Sequence, residues 1–141
     1  MLQGLVGEWM TRRVFHVRPD DPVFAALEVM AEHGVRHVLV LNGSTLAGIV
    51  SNRDIVRATV RHLDRPLDLH GARVSEVMTP APLRTTWSGA TLAEVADVMR
   101  SHKVSALPVL EGTSLQGIIT TDDVLAAVAQ PEPLAARRPD L

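Results

Sequence analysis

Apolar positions in the first half of the chain recur with helical spacing before the pattern changes to short continuous runs. Ala26 and Met30 lie four residues apart in a segment that opens at Asp21-Pro22 and closes at Gly34. Asp followed by Pro suits the N-cap and first position of a helix, and Gly suits its C-terminal cap. The pattern therefore predicts a helix between these signals.

Two short runs rich in β-branched and aliphatic residues follow this helix and predict a pair of strands. They cover residues 37–41 and 46–50, and Asn42-Gly43 between them predicts a turn. Ser51 then opens a second helix, which we expect to end near His62. A short extended segment over residues 14–17 precedes the first helix.

The second half of the chain repeats this order. Gly48 and Gly117 differ by 117 − 48 = 69 positions, and Asp54 and Asp123 have the same offset. Internal repeats of this length indicate a duplicated structural unit. The second copy is predicted to contain a helix over 92–100 capped by Thr91 with Glu94, strands over 106–110 and 115–119, and a helix over 121–129.

The repeat predicts the fold class and the domain boundaries. Each copy has the order β-α-β-β-α, and one copy alone is too small to bury a sufficient core. We therefore expect an α+β fold in which two repeats pack through their sheets as a pseudo-two-fold module. The expected boundaries are 6–63 for repeat one, 64–73 for a connector, 74–129 for repeat two and 130–141 for a proline-rich disordered tail.

Composition and charge exclude several classes of function. The net charge is −2, which gives no electrostatic basis for binding nucleic acid or an anionic membrane. The chain has no Cys, so disulfides and thiol chemistry are excluded, and a reducing cytoplasm is compatible with that composition. Gly34 separates His33 from His37, so no helical metal pair is expected. No Gly-x-Ser-x-Gly elbow or P-loop is present, and the sequence predicts no enzyme.

The two glycine-led segments, GIVSNRDIV and GIITTDDVL, carry the candidate chemistry. Each has a hydroxyl residue followed three positions later by an acid, namely Ser51 with Asp54 and Thr120 with Asp123. This spacing is typical of a capping box, which stabilises a helix by about 1 kcal/mol. A strand that turns into a helix at such a point also presents backbone N–H groups suited to phosphate. Capping and ligand binding are compatible roles for the same residues.

The ordered motifs resemble a pair of cystathionine-β-synthase (CBS) domains, together called a Bateman module. They are the Met-Thr pairs at 10–11 and 78–79, the segments GVRHVLVL and KVSALPVL, and the two glycine-led segments. The resemblance covers nearly all of residues 6–129. It implies regulatory binding of AMP, ADP or ATP, and in some members S-adenosylmethionine, in clefts between the repeats. It implies neither catalysis nor a required cofactor.

The resemblance assigns ligand roles to individual residues. Ser51 and Thr120 would contact phosphate, and Asp54 and Asp123 would accept hydrogen bonds from the ribose hydroxyls. The further candidates are Val14, Phe15, Pro82 and Leu83 around the adenine and Arg36, His37 and Arg53 as cationic or polar neighbours of the first site.

The two predicted sites differ in charge. Arg53 lies inside the first motif, whereas Asp122 occupies the matching position of the second. Because like charge disfavours phosphate, we expect the first site to prefer phosphorylated ligands more strongly. Leu39 replaces a proline frequent in the family and present here as Pro108, which affects the expected shape of the first pocket.

The sequence thus predicts a cytoplasmic sensor in which an adenine nucleotide bridges the repeats and changes their packing. The partners expected are the nucleotide, an unidentified regulated protein and a second copy of the chain, with no nucleic acid and no membrane. Apolar positions such as Val60 and Val128 are candidates for the homodimer contact. The alternative is a dimerisation or interaction scaffold whose nucleotide sites are degenerate.

Overall fold

The computed structural model describes residues 2–61 and 65–129. Within those ranges it contains six helices and six strands. In chain order they are α1 (Val6–Trp9), β1 (His16–Val17), α2 (Val23–His33), β2 (His37–Asn42), β3 (Thr45–Ser51), α3 (Asn52–Arg61), α4 (Val74–Val77), β4 (Thr79–Pro80), α5 (Leu92–His102), β5 (Ala106–Glu111), β6 (Ser114–Thr120) and α6 (Thr121–Ala129). The mixed fold with two repeats of sheet and helices is confirmed. The expected end of α3 at His62 and the tail at 130–141 lie outside the described residues.

The chain forms two compact units, and each unit combines pieces of both sequence repeats. Unit 1 contains the chain up to Arg13 together with the chain from Arg84 onward, and unit 2 is Val14–Leu83. Helix α1, which opens repeat one, therefore belongs to the unit that contains most of repeat two. Helix α4, which opens repeat two, belongs to the unit that contains most of repeat one. The sequence repeats and the spatial units divide the chain differently.

Unit 2 is built on a four-stranded sheet with the order β1-β2-β3-β4. Strands β2 and β3 form an antiparallel hairpin, with the Cα of His37 opposite that of Ser51. Strand β1 pairs parallel with β2, and β4 pairs antiparallel with β3. The buried side chains beneath this sheet form one apolar core, which consists of Val17, Val23, Ala26, Met30, Val38, Val40, Val50, Ile55 and Val74.

Unit 1 has the same arrangement with shorter edges. Strands β5 and β6 form its antiparallel hairpin. At one edge Thr86 forms a parallel bridge with Val109, and at the other Thr11 forms an antiparallel bridge with Ile118. These bridges occupy the places that β1 and β4 hold in unit 2. The core of unit 1 consists of Val6, Trp9, Met10, Ala90, Leu92, Val95, Met99, Leu107, Val109 and Ile119.

Two glycines allow the entry segments to approach the hairpins closely. A Cβ on Gly48 would lie 2.6 Å from the carbonyl oxygen of Thr79, and a Cβ on Gly117 would lie 2.5 Å from that of Thr11. Side-chain carbon atoms do not tolerate such distances to backbone oxygen. The glycine that leads each repeated motif is thus required by the Met-Thr segment that pairs beside it.

The start of α2 differs from the expectation. The N-cap is Pro22 and the helix begins at Val23, one residue later than Asp before Pro predicts. The Asp21 carboxylate instead accepts a hydrogen bond from the Arg18 backbone N–H at 2.8 Å. The first N–H groups of the helix donate to connector carbonyls, Val23 to Ala72 and Phe24 to Leu69, at 2.9 Å each. Contacts from distant residues cap this helix, so local sequence placed its start incorrectly.

The other caps agree with the sequence. Gly34 ends α2 in the left-handed conformation, with φ 64°. Thr91 caps α5 because its hydroxyl accepts from the Glu94 N–H at 3.1 Å, and the Glu94 carboxylate accepts from the Thr91 N–H at 3.3 Å. The last helix has the predicted bounds. The four hairpin strands extend the predicted runs by one residue at one or both ends, whereas β1 covers only the last two residues of the extended segment expected over 14–17.

Candidate functional site

In unit 2, the candidate site lies where β3 continues directly into α3. Asp54 Oδ2 accepts hydrogen bonds from the Ser51 backbone N–H at 2.8 Å and from Ser51 Oγ at 3.0 Å. Ser51 Oγ in turn accepts from the Asp54 backbone N–H at 3.1 Å. The predicted capping box is therefore present, and both side chains are half-buried. These bonds fix the hydroxyl and the carboxylate against each other at the first turn of the helix.

The two oxygens of the Asp54 carboxylate are used differently. Both hydrogen bonds that the carboxylate accepts go to Oδ2. Within residues 2–61 and 65–129, the structure records no protein donor on Asp54 Oδ1. A carboxylate oxygen has room for two donors, so Oδ1 retains its full accepting capacity.

In unit 1, the matching junction between β6 and α6 has one additional donor. Asp123 Oδ2 accepts from the Thr120 backbone N–H at 2.9 Å and from Thr120 Oγ1 at 3.3 Å. Thr11 Oγ1, from the entry segment, donates to Asp123 Oδ1 at 3.2 Å. Both carboxylate oxygens of this residue are therefore engaged by the protein.

Thr11 was missed as a site residue in the sequence. The signal available was its place in the repeated Met-Thr pair, which marks the start of each repeat but gives no reason for a contact 112 positions away. The contact follows from the backbone pairing of Thr11 with Ile118, whose N–H and C=O groups exchange hydrogen bonds at 2.8 and 2.9 Å. That pairing places the threonine beside the first turn of α6.

Burial raises the pKa of Asp123 above its ordinary value. Desolvation of the carboxylate is the largest cause, and the negative charge of Asp122 acts in the same direction. The hydrogen bonds from Thr120 and Thr11 stabilise the charged form and oppose this increase in pKa, but they do not cancel it. The surroundings of Asp123 in unit 1 are thus less favourable for its negative charge than water is for the charge of an exposed aspartate.

The polar candidates around the unit 2 site are brought together. The Arg36 carbonyl oxygen accepts from the Asn52 N–H at 3.1 Å, which ties residue 36 to the start of α3. His37 lies opposite Ser51 in the hairpin register. Arg53 is exposed on the first turn of α3. The structure therefore places the predicted cationic and polar candidates next to the capping box.

The apolar candidates are less closely grouped. Val14 and Phe15 precede β1, whereas Pro82 and Leu83 follow β4, and these strands are the two opposite edges of the unit 2 sheet. Phe15 stacks on His33, with ring centroids 3.8 Å apart and planes 13° apart. The Ala81–Pro82 peptide bond is cis. All four residues lie in unit 2, although the sequence assigned one pair to each repeat.

In the described part of the chain, the grouping of acidic and histidine side chains and the lengths of the helices bear on other kinds of site. No group of three or more His, Cys, Asp or Glu side chains there is arranged to hold a metal ion. No helix there is long and apolar enough to span a membrane.

A model of the CBS domain matches the chain twice, over residues 6–61 and 74–130. The chain belongs to the CBS-domain family. The family resemblance inferred from the order of the motifs is thereby confirmed. Each match covers one sequence repeat, so the entry helices α1 and α4 fall inside the matched segments.

Curated relatives of this CBS-domain chain include two inosine-5'-monophosphate dehydrogenases. The enzyme of Bacillus subtilis strain 168 is 30% identical over 121 residues, which cover 83% of this chain and 23% of the enzyme. That of Korarchaeum cryptofilum is 32% identical over 124 residues, covering 87% and 24%. The chain thus spans about a quarter of the length of these relatives.

Solved structures of CBS-domain proteins have the same fold. A protein with CBS domains from Burkholderia ambifaria MC40-6 is 30% identical with a TM-score of 0.79, and the match covers 96% of both chains. A CBS-domain-containing protein from Agrobacterium tumefaciens is 26% identical with a TM-score of 0.81, covering 89% of this chain and 99% of the other. CBSX2, solved in complex with AMP, is 29% identical with a TM-score of 0.73, covering 89% and 97%.

Proposed function

We propose that the chain is a regulatory module that binds an adenine nucleotide at the β3–α3 junction of unit 2. The observation that carries this proposal is the fixed Ser51–Asp54 pair, whose carboxylate keeps Oδ1 available for a ligand donor. The AMP complex of CBSX2, a relative of similar fold, supports the choice of ligand class.

Each residue of this junction has a proposed role. Asp54 Oδ1 accepts a hydrogen bond from a ribose hydroxyl, while Oδ2 remains held by the Ser51 backbone N–H. The hydroxyl proton of Ser51 turns from Asp54 Oδ2 to a phosphate oxygen, and the positive end of α3 and the Arg53 guanidinium also bind the phosphate. Arg36 and His37 contribute polar contacts from the start of β2. Val14, Phe15, Pro82 and Leu83 remain the proposed residues for the adenine.

We propose that the β6–α6 junction of unit 1 binds an adenine nucleotide more weakly than the junction of unit 2 does. Thr11 already donates to Asp123 Oδ1, so a ribose hydroxyl must share this oxygen with Thr11 or replace Thr11 as its donor. Asp122 adds negative charge beside Thr120, where a phosphate would be unfavourable. A ligand of lower charge, such as S-adenosylmethionine, fits this environment better than ATP does.

The proposed action is regulatory and not catalytic. A nucleotide that binds one conformation of the module more tightly shifts the population toward it by no more than that difference in affinity. The receiving partner is an unidentified protein, and a second copy of the chain is proposed to associate through exposed apolar residues on α3 and α6. A cytoplasmic location is proposed because the chain contains no Cys.

Isothermal titration of the purified chain with AMP, ADP, ATP and S-adenosylmethionine tests this function. We expect binding of AMP or ATP by the native chain and at least a roughly tenfold loss in Asp54→Ala, because a charged hydrogen bond is removed. Asp97→Ala is the matched control, since Asp97 is an exposed carboxylate paired with Arg100 at 2.8 Å. Its affinity should equal that of the native chain.

The same titration decides between the nucleotide-binding module and the alternative, a ligand-free interaction scaffold. The Ser51–Asp54 bonds form a complete helix cap without any ligand, which is the observation that favours a ligand-free scaffold. If none of the four ligands binds at millimolar concentration, the nucleotide function is wrong and the scaffold is preferred. Equal loss of affinity in Asp54→Ala and Asp123→Ala would contradict only the proposed difference between the sites.

A further inference from the structure

Helices α3 and α6 occupy equivalent places in the two repeats, yet their charges are opposite. Helix α3 carries Arg53, Arg57 and Arg61 at four-residue spacing, all exposed, and Asp54 is its only acid, giving a net charge of +2. Helix α6 carries Asp122 and Asp123 and no basic residue, giving −2. Four-residue spacing places the arginines along one side of α3.

Each of these helices also exposes a pair of large apolar side chains. On α3 they are Val56 and Val60, with exposed fractions of 60% and 56%. On α6 they are Leu125 and Val128, with 62% and 66%. The spacings of four and three residues put each pair on one face of its helix. A helix face with neighbouring apolar and charged rows has the composition of a protein contact.

We propose that a second copy of the chain places its α6 against α3 of the first copy. Pairing α3 with α3 would bring two rows of three arginines together, and pairing α6 with α6 would join two helices whose only charged residues are acids. Pairing α3 with α6 joins opposite charges over the apolar pairs. Like-charge contacts disfavour an interface and opposite charges set its register, so the charges select the mixed pairing. This inference rests on the self-association part of the proposed function, and its test uses Arg57, which has no part in the proposed nucleotide site.

Single cysteines test the pairing directly because the natural chain has none. Val56→Cys and Leu125→Cys proteins, one carrying a larger tag, are mixed and oxidised, and the disulfide products are separated by mass. We expect about five times as much mixed Val56–Leu125 product as of either same-site product, whereas random pairing of equal amounts gives only about twice as much. Thr113→Cys, exposed in the β5–β6 turn, measures random collision.

A second part of the experiment reverses one charge on α3. Arg57→Glu in the Val56→Cys protein should lower the mixed product about fivefold, because it places an acid against the acidic helix. Arg57 has no proposed role in nucleotide binding. Predominance of Val56–Val56 and Leu125–Leu125 products, or yields no higher than those of Thr113→Cys, would overturn the proposal. Titration of the cysteine-free chain with AMP tests the nucleotide site separately, so each failure is distinguishable.

Discussion

At the residue scale, the two aspartates at the helix starts have the same sequence context but different surroundings. Thr11 adds a donor to Asp123 from 112 positions away, and no threonine hydrogen bond of this kind is recorded for Asp54 in the described residues. The sequence predicted both hydroxyl–acid pairs, because capping is a local property of residues three apart. It did not predict Thr11, because the strand pairing that brings it close is long-range.

The raised pKa of Asp123 makes its contribution to stability depend on pH. Because the folded pKa exceeds the unfolded one, the favourable contribution is complete below the unfolded pKa of about 3.9 and is lost as pH rises through the folded value. We expect Asp123→Asn, which does not titrate, to gain stability relative to the native chain as pH rises through this window. Urea unfolding of both proteins from pH 3.5 to 7 measures the difference in their free energies of unfolding.

Other carboxylates titrate in both proteins, so only the difference between the two curves reports on Asp123. Asp97→Asn is the control because Asp97 is mostly exposed. Its difference from the native chain should vary less with pH. A native chain that instead gains stability over Asp123→Asn as pH rises would show that the three hydrogen bonds from Thr120 and Thr11 outweigh burial.

At the scale of elements, the apolar periodicity predicted the two long helices and both hairpins, with ends displaced by one or two residues. The short edge elements were harder to predict. A parallel strand and a single bridge contain too few residues for a periodic pattern, and their partners lie elsewhere in the sequence. The sequence showed that a glycine begins each repeated motif. It did not show why glycine is needed there, because the carbonyl oxygen that leaves no room for a side chain belongs to a distant segment.

Gly117 is predicted to be intolerant of a side chain. A Cβ there would lie 2.5 Å from the Thr11 carbonyl oxygen, which belongs to backbone and cannot rotate away. We expect Gly117→Ala to lower the free energy of unfolding by about 2 kcal/mol, as overpacking does. Chemical denaturation monitored by Trp9 fluorescence, since Trp9 is in the same unit's core, provides the measurement.

Gly112→Asn is the matched control in the same hairpin. Nothing lies within 4 Å of a Cβ at Gly112, and its φ of 61° is a conformation that Asn tolerates. The control should therefore change stability by less than about 1 kcal/mol. If Gly117→Ala is as stable as this control, Thr11 and the hairpin do not approach as closely as described.

At the scale of the whole molecule, the exchange of entry segments means that the sequence repeat and the compact unit are different stretches of chain. Unit 2 is one continuous stretch, Val14–Leu83, and its core includes Val74, the first residue of repeat two. A fragment that stops at residue 63 lacks that side chain. It also lacks the connector carbonyls that cap α2 and the strand β4 that pairs with β3.

Two fragments are therefore expected to behave differently although they are similar in length. Residues 14–83 should fold alone and unfold cooperatively in urea, because the fragment retains the four-stranded sheet and its core. Residues 6–63, the repeat as the sequence defines it, should contain little helix. The small signal of this fragment should change gradually with urea and should not fit a two-state transition. Circular dichroism during urea titration compares them. Cooperative unfolding of 6–63 with a midpoint equal to that of 14–83 would mean that the connector and β4 contribute nothing to unit 2, contrary to the hydrogen bonds they make.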